Sequence, residues 1–128
     1  MINDNYTVNE EDKFTAKSLK FSEIDNGGFD LLSVDIEGAE WYVIKHMQSR
    51  PAVISLETHG KYYVNSKAVE INTWMAKNGY SIWYKDKSDT VYVKKGTFSI
   101  SIFENIGLLF TNTSLMLTRL KGKLKGRG

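Results

Sequence analysis

The stretch Phe29-Asp-Leu-Leu-Ser-Val-Asp-Ile-Glu-Gly-Ala-Glu40 is nearly continuous in apolar residues as far as Ile36. It then breaks into acids and a glycine just before a helical pattern begins. A short apolar run with polar punctuation at both ends predicts a strand covered on both faces. Such a strand delivers Asp35 and Glu37 to its carboxyl end. In open α/β sheets that end borders the crevice where ligands bind, because the flanking helices leave it uncovered. A second run, Ala52 to Leu56, also finishes in polar chemistry, Glu57-Thr-His59. Both ends are therefore expected to face one crevice.

Between the two runs, Gly38 to Gln48 reads as a helix with Val43, Ile44 and Met47 on one side, and Pro51 forbids its continuation. Glu37 and Glu40 sit at its positive N-terminal end, where the helix dipole alone accounts for Glu40. Downstream, Ser66 is the expected cap of a second helix that buries Ala68, Ile71, Trp74 and Met75 and stops at Asn78-Gly79. Tyr80 to Lys85 and Thr90 to Val93 alternate as strands around a four-residue loop, Asp86 to Asp89. Upstream, Lys13 to Leu19 reads as a short edge strand before a turn region from Ser22 to Gly28. From Ser99 onward apolar residues recur at helical spacing, the pattern being interrupted in the middle by Thr111-Asn-Thr-Ser114. The expected order is β-α-β-α-β-β, an α/β domain over residues 1–98, followed by an amphipathic helix and basic tail over 99–128.

Composition bounds the functional classes. With 128 residues, 41% hydrophobic and 25% charged, the chain has the make-up of one globular domain. The absence of cysteine excludes disulfides, thiolate nucleophiles and cysteine zinc sites. Met1-Ile-Asn-Asp-Asn-Tyr6 has neither the basic start nor the apolar segment of a signal peptide, so the expected location is cytoplasmic, membrane-peripheral if the tail touches lipid. Five of the 17 basic residues, Arg119, Lys121, Lys123, Lys125 and Arg127, fall in the last ten positions without an acid among them. The remaining 12 face 15 acids, so residues 1–118 carry −3 and no nucleic-acid face is expected. The tail admits two readings: a basic amphipathic helix resting on an anionic membrane, or an apolar stripe packed on its own domain or a partner.

The string Asp35-Ile-Glu-Gly-Ala-Glu40, followed by Val53-Ile-Ser-Leu-Glu-Thr-His59 and Asn78-Gly-Tyr80, resembles the FkbM family of S-adenosylmethionine-dependent methyltransferases over roughly residues 14–95. The resemblance implies a partial Rossmann-like class I methyltransferase sheet, mostly parallel with an antiparallel hairpin strand. In it, Phe29 to Ile36 is similar to the fourth strand and Ala52 to Leu56 to the fifth. It also implies S-adenosylmethionine as cofactor and methyl transfer to an oxygen of a sugar or other small molecule. One part of the family pattern is missing, since no glycine-rich loop follows an expected strand. The chain thus looks like the C-terminal half, to be completed by a partner chain or by further strands. The rival expectation is a degenerate half-domain, without catalysis, that binds another protein or a membrane.

Methyl transfer to a hydroxyl asks for in-line positioning and a base. His59, past the end of a buried strand, is the expected base because an imidazole titrates near neutrality; the alternative is a loop histidine satisfied by a backbone carbonyl. Asp35 and Glu37, the expected catalytic acids beside His59, lie two apart and project to one side, and strand spacing brings Glu57 near them. Asp35 and Gly38 are the expected cofactor contacts, Gly38 allowing a tight turn or close backbone approach. Glu57 and Tyr62 are the expected substrate contacts. Three clustered carboxylates call for a cation, whether a metal, the substrate or the cofactor's sulfonium; a metal is not the favoured reading.

Overall fold

A computed structural model describes residues 13–60 and 63–125. In chain order the elements are β1 (Leu31–Val34), α1 (Glu40–Ile44), β2 (Val53–Glu57), α2 (Ala68–Lys77), β3 (Tyr80–Lys85), β4 (Asp89–Lys94) and α3 (Ile102–Lys125). The four strands form one sheet in the order β1-β2-β4-β3. β1 and β2 are parallel, with Leu32 opposite Ile54 and Val34 opposite Leu56. β4 runs antiparallel to both of its neighbours.

The architecture is therefore mixed α/β, and the expectation of a mostly parallel sheet needs correction. β1, β2 and β3 share a direction, but β4 inserts between β2 and β3, so one pairing of the three is parallel. The reason lies in burial. Thr90, Tyr92 and Val93 of β4 are shut away from solvent and fit a central strand, whereas β3 carries a register shift between Ile82 and Tyr84 and takes the edge. The hairpin loop is three residues long. The Asp86 side chain accepts the N–H groups of Ser88 at 2.9 Å and Asp89 at 2.8 Å, which draws Asp89 into the strand.

One face of the sheet holds the core. Val34, Ile54, Leu56 and Tyr92 pack against Ile44 and Met47 from the α1 region and Ile71 and Met75 of α2. Polar atoms within it are satisfied: the Tyr80 hydroxyl donates to the Pro51 carbonyl at 2.8 Å, and the Tyr92 hydroxyl to Asn72 Oδ1 at 2.9 Å. The other face is less covered, and Leu31 is 66% exposed on it. Among the described residues β1 is thus an edge strand with one solvated face, not a strand buried on both.

Three further local expectations change. No strand forms between Lys13 and Leu19; the described chain there is irregular up to a 3₁₀ turn at Phe21–Glu23. α1 is five residues long because the chain after it is captured by Asp25, whose carboxylate accepts the N–H groups of Gln48 at 2.6 Å and Ser49 at 2.8 Å. The first turn of α2 is prepared by Asn65, not Ser66, since Asn65 Oδ1 accepts the Lys67 N–H at 2.8 Å. The Asn78-Gly79 stop forms as expected, with Gly79 at φ +79°.

α3 is a single unbroken helix. Ser101 and Glu104 form a capping box, the Ser101 N–H donating to Glu104 Oε2 at 2.7 Å and the Glu104 N–H to Ser101 Oγ at 3.2 Å. The expected C-terminal helix forms and runs through Thr111-Asn-Thr-Ser114, where the apolar pattern is interrupted; there the Thr111 and Thr113 hydroxyls donate to the carbonyls of Gly107 and Leu109 one turn back.

Asp25 also accepts the Gly27 N–H and the Ser49 hydroxyl, and it is 2% exposed. Burial alone would raise its carboxyl, but the hydrogen bonds to Ser49, Gly27 and Gln48 win and hold it down at about 2. We expect Asp25→Ala to cost about 2–4 kcal/mol in urea unfolding at pH 7. Because the folded value lies below the ordinary 3.8, that contribution is complete above pH 3.8 and is lost as the pH falls toward 2. The wild-type and Ala curves should therefore converge at the acid end.

Candidate functional site

The turn after β1 is built around a buried carboxylate. Glu40 is inaccessible to solvent; its Oε1 accepts the N–H groups of Ile36 at 3.2 Å and Gly38 at 3.0 Å, and its other oxygen accepts from the Asn65 side chain. Glu37 at φ +52° and Gly38 at φ +98° both take the left-handed conformation that wraps the chain around it. For glutamate that conformation costs about 1–2 kcal/mol, so the clamp must hold it in place. Glu40 thus does more than complement a helix dipole. It turns Asp35 and Glu37 out to solvent.

These outward acids meet the end of the next strand. One carboxylate oxygen from each of Asp35, Glu37 and Glu57 lies within 4.8 Å of the others. The parallel register explains the meeting: Ser33 pairs with Ser55, which sets Asp35 beside Glu57 on the face opposite the core. Asp89 of β4 lies directly across from Glu57 and extends the acidic row over a third strand. Sequence reasoning missed Asp89, because pairing β4 with β2 depends on the strand order; the signal available was an acid ending the hairpin loop.

The crowding shows in the titrations. Burial raises the Glu57 carboxyl above its ordinary 4.5, and the charges of Asp35, Glu37 and Glu40 raise it further, against a hydrogen bond from Tyr63. Asp89 is raised by burial, then by Asp86 and Asp35. Burial and the bond to Glu57 push the Tyr63 hydroxyl up to about 12. Glu57 Oε2 is buried and has no hydrogen-bond partner. Tyr63 is positioned by its turn: the Gly60 N–H donates to the Tyr63 carbonyl at 3.0 Å, and the Tyr63 ring occupies the space that a side chain at Gly60 would need. Oxygen ligands in this number suit a hard divalent cation or an organic cation.

His59 does not join this group. Its ring is 1% exposed and lies with Thr58, Thr90, Tyr92 and Asn72 on the α2 side of the sheet. Nε2 is 2.9 Å from the Asp86 carbonyl and Nδ1 is 2.8 Å from Thr58 Oγ1, which in turn bonds Thr90 Oγ1. A carbonyl only accepts, so Nε2 carries the proton and Nδ1 accepts from Thr58. Both nitrogens are committed, and no lone pair faces solvent. The expected base is, in this geometry, a strut joining the end of β2 to the hairpin loop. Tyr62, the expected substrate contact, lies outside the described residues.

A scan against protein families matches residues 4–82 to the methyltransferase FkbM domain. The chain belongs to the FkbM methyltransferase family. Neither a curated protein nor a solved structure matches it. The matched segment ends within β3, short of the expected Lys95. It contains three of the four acids and leaves Asp89 and α3 outside it.

Within this FkbM domain two titrations are testable. Folding raises the Glu57 carboxyl, so its ionisation opposes the fold: its contribution is favourable below pH 4.5 and is lost as the pH rises through the folded value. Glu57→Gln should therefore raise the melting temperature by a few degrees at pH 7 and leave it unchanged at pH 4. For His59, burial holds the imidazole below its ordinary 6.5, with Lys85 and Arg119 adding to the effect against the Asp86 carbonyl. The unfolded chain then binds the extra proton, so stability should fall as the pH drops below 6.5. Thermal melts from pH 7.5 to 5.5 should show this slope in the wild type and its loss in His59→Gln.

Proposed function

We propose that this chain forms the acceptor side of an S-adenosylmethionine-dependent O-methyltransferase acting on a hydroxyl of a sugar or similar small molecule. Support comes from the family match together with one observation: Asp35, Glu37 and Glu57 converge at the carboxyl ends of the parallel pair β1 and β2, with Glu57 Oε2 buried and unpartnered. When bound, S-adenosylmethionine supplies a methyl group on a positively charged sulfonium. The carboxylate set fits that charge, and the described residues contain no glycine-rich loop after a strand to cradle the nucleoside. The outer edge of β1, unpaired among the described residues, is where a partner chain or further strands would add that cradle.

In this reading Asp35 and Glu37, both exposed, balance positive charge beside the acceptor. Glu57, with its raised carboxyl, takes the proton of the acceptor hydroxyl, since a base works best when its pKa approaches the working pH. Tyr63 orients Glu57 through its hydrogen bond. Gly38 and the left-handed turn bring backbone close to the ligand without a side chain in the way.

Calorimetric titration of the chain compares S-adenosylmethionine with S-adenosylhomocysteine, which lacks the sulfonium charge. The expected result is saturable binding about tenfold tighter for the cation, worth about 1.4 kcal/mol, and collapse of that difference in Asp35→Asn. Equal affinities would remove the carboxylates from cofactor recognition, and silence with both ligands would show that this chain does not hold the cofactor without the cradle added at β1.

A further inference from the structure

Helix α3 is packed the opposite way round from an ordinary surface helix. The side chains it turns toward β3 are small, polar or few: Gly107, Leu108, Thr111 and Leu115 meet Trp83, Tyr84 and Lys85, and Glu104 accepts the Trp83 indole N–H at 2.7 Å. Its apolar stripe faces away. Ile102, Leu109, Phe110, Met116, Leu117 and Leu124 are between 53% and 75% exposed. Over 24 residues, about 36 Å of helix, this makes an apolar surface well beyond what a lone soluble domain ordinarily leaves in water.

Two features of the molecule point to the occupant. The first is charge. Glu104 is the last acid of the sequence, and five basic residues follow it. At 100° per residue, Lys121 and Lys123 fall at the two borders of the apolar stripe, and both are exposed. Lysines there reach outward to headgroups while the stripe sinks below them. The second is topology. Strands that complete the sheet would add at β1, the end of the order β1-β2-β4-β3 farthest from α3, so they would not cover the stripe. A second copy of α3 offers no complement either, since its one acid, Glu104, is already engaged by Trp83 and Ser101. No described helix is long and apolar enough to cross a membrane.

We propose that α3 is an interfacial anchor that lies flat on an anionic lipid surface, with its apolar stripe among the acyl chains and Lys121 and Lys123 at the headgroups. Lipid charge supplies the counter-ions for Lys121 and Lys123, beside which α3 carries no acid.

The test is co-sedimentation of the full chain with vesicles of phosphatidylcholine alone or with 30% phosphatidylglycerol, at low and high salt. Binding at least tenfold stronger to the anionic vesicles, and weaker at high salt, is expected. Lys121→Gln and Lys123→Gln should each weaken it about fivefold. Leu109→Ser with Leu117→Ser should abolish it while circular dichroism keeps the wild-type helix signal, because both side chains point to solvent. Absence of binding at low salt would overturn the proposal, as would binding indifferent to the two serines. A concentration-dependent dimer, broken by those serines and without vesicle binding, would reassign the stripe to a second copy.

Discussion

The Glu40 carboxylate is the constraint on which the site depends. It is wholly buried, and it is held by the Ile36 and Gly38 N–H groups and by the Asn65 side chain. Those bonds join the turn after β1 to the approach of α2, two segments 25 residues apart. A buried carboxylate is expensive unless it accepts several hydrogen bonds, and here it accepts three. In return it keeps Glu37 in a left-handed conformation that an isolated chain would leave. Asp35 and Glu37 face outward because Glu40 faces inward.

The same strand ends collect charge that the sheet does not neutralise. Parallel pairing of β1 with β2 sets Asp35 beside Glu57, and antiparallel pairing of β2 with β4 sets Asp89 across from it. Like charges placed opposite one another weaken a sheet. Burial raises the carboxyls of Glu57 and Asp89, and the neighbouring acids add to it. A fold gains nothing from such an arrangement alone. A cation at this edge would relieve it, and on that ground the acidic row, unlike the well-bonded Asp25, is proposed as a site.

The two ends of the sheet then differ in what they expose. At β1 a strand edge that is unpaired among the described residues lies beside the acidic row, and at β3 the sheet carries a helix whose apolar side looks outward. Family membership covers the first region and stops before the second. His59 belongs to neither; it braces the hairpin from below, with Thr58 and Thr90 fixing its ring.

Much of this was legible locally. The segments that become β1, β2, α2 and the hairpin follow from apolar runs, the Asn78-Gly79 stop and the Asp86 turn, each decided within a few residues. Asp35, Glu37 and Glu57 were visible as acids at strand ends. Illegible were the roles that need a partner distant in sequence. Asp89 joins the site only because β4 inserts beside β2. The length of α1 is set by Asp25, and His59 lost its freedom to a carbonyl 27 residues away. The amphipathic pattern of α3 was plain in the chain, yet periodicity states only that a helix has two sides. Which side meets the sheet is a matter of the surfaces that β3 presents, and Trp83 chose the polar one. The sequence by itself determined where strands, turns and helices begin and which ends carry charge, since neighbouring residues settle those. The tertiary structure alone decided which charges meet and which faces stay open, since strand order and packing join residues that the chain holds apart.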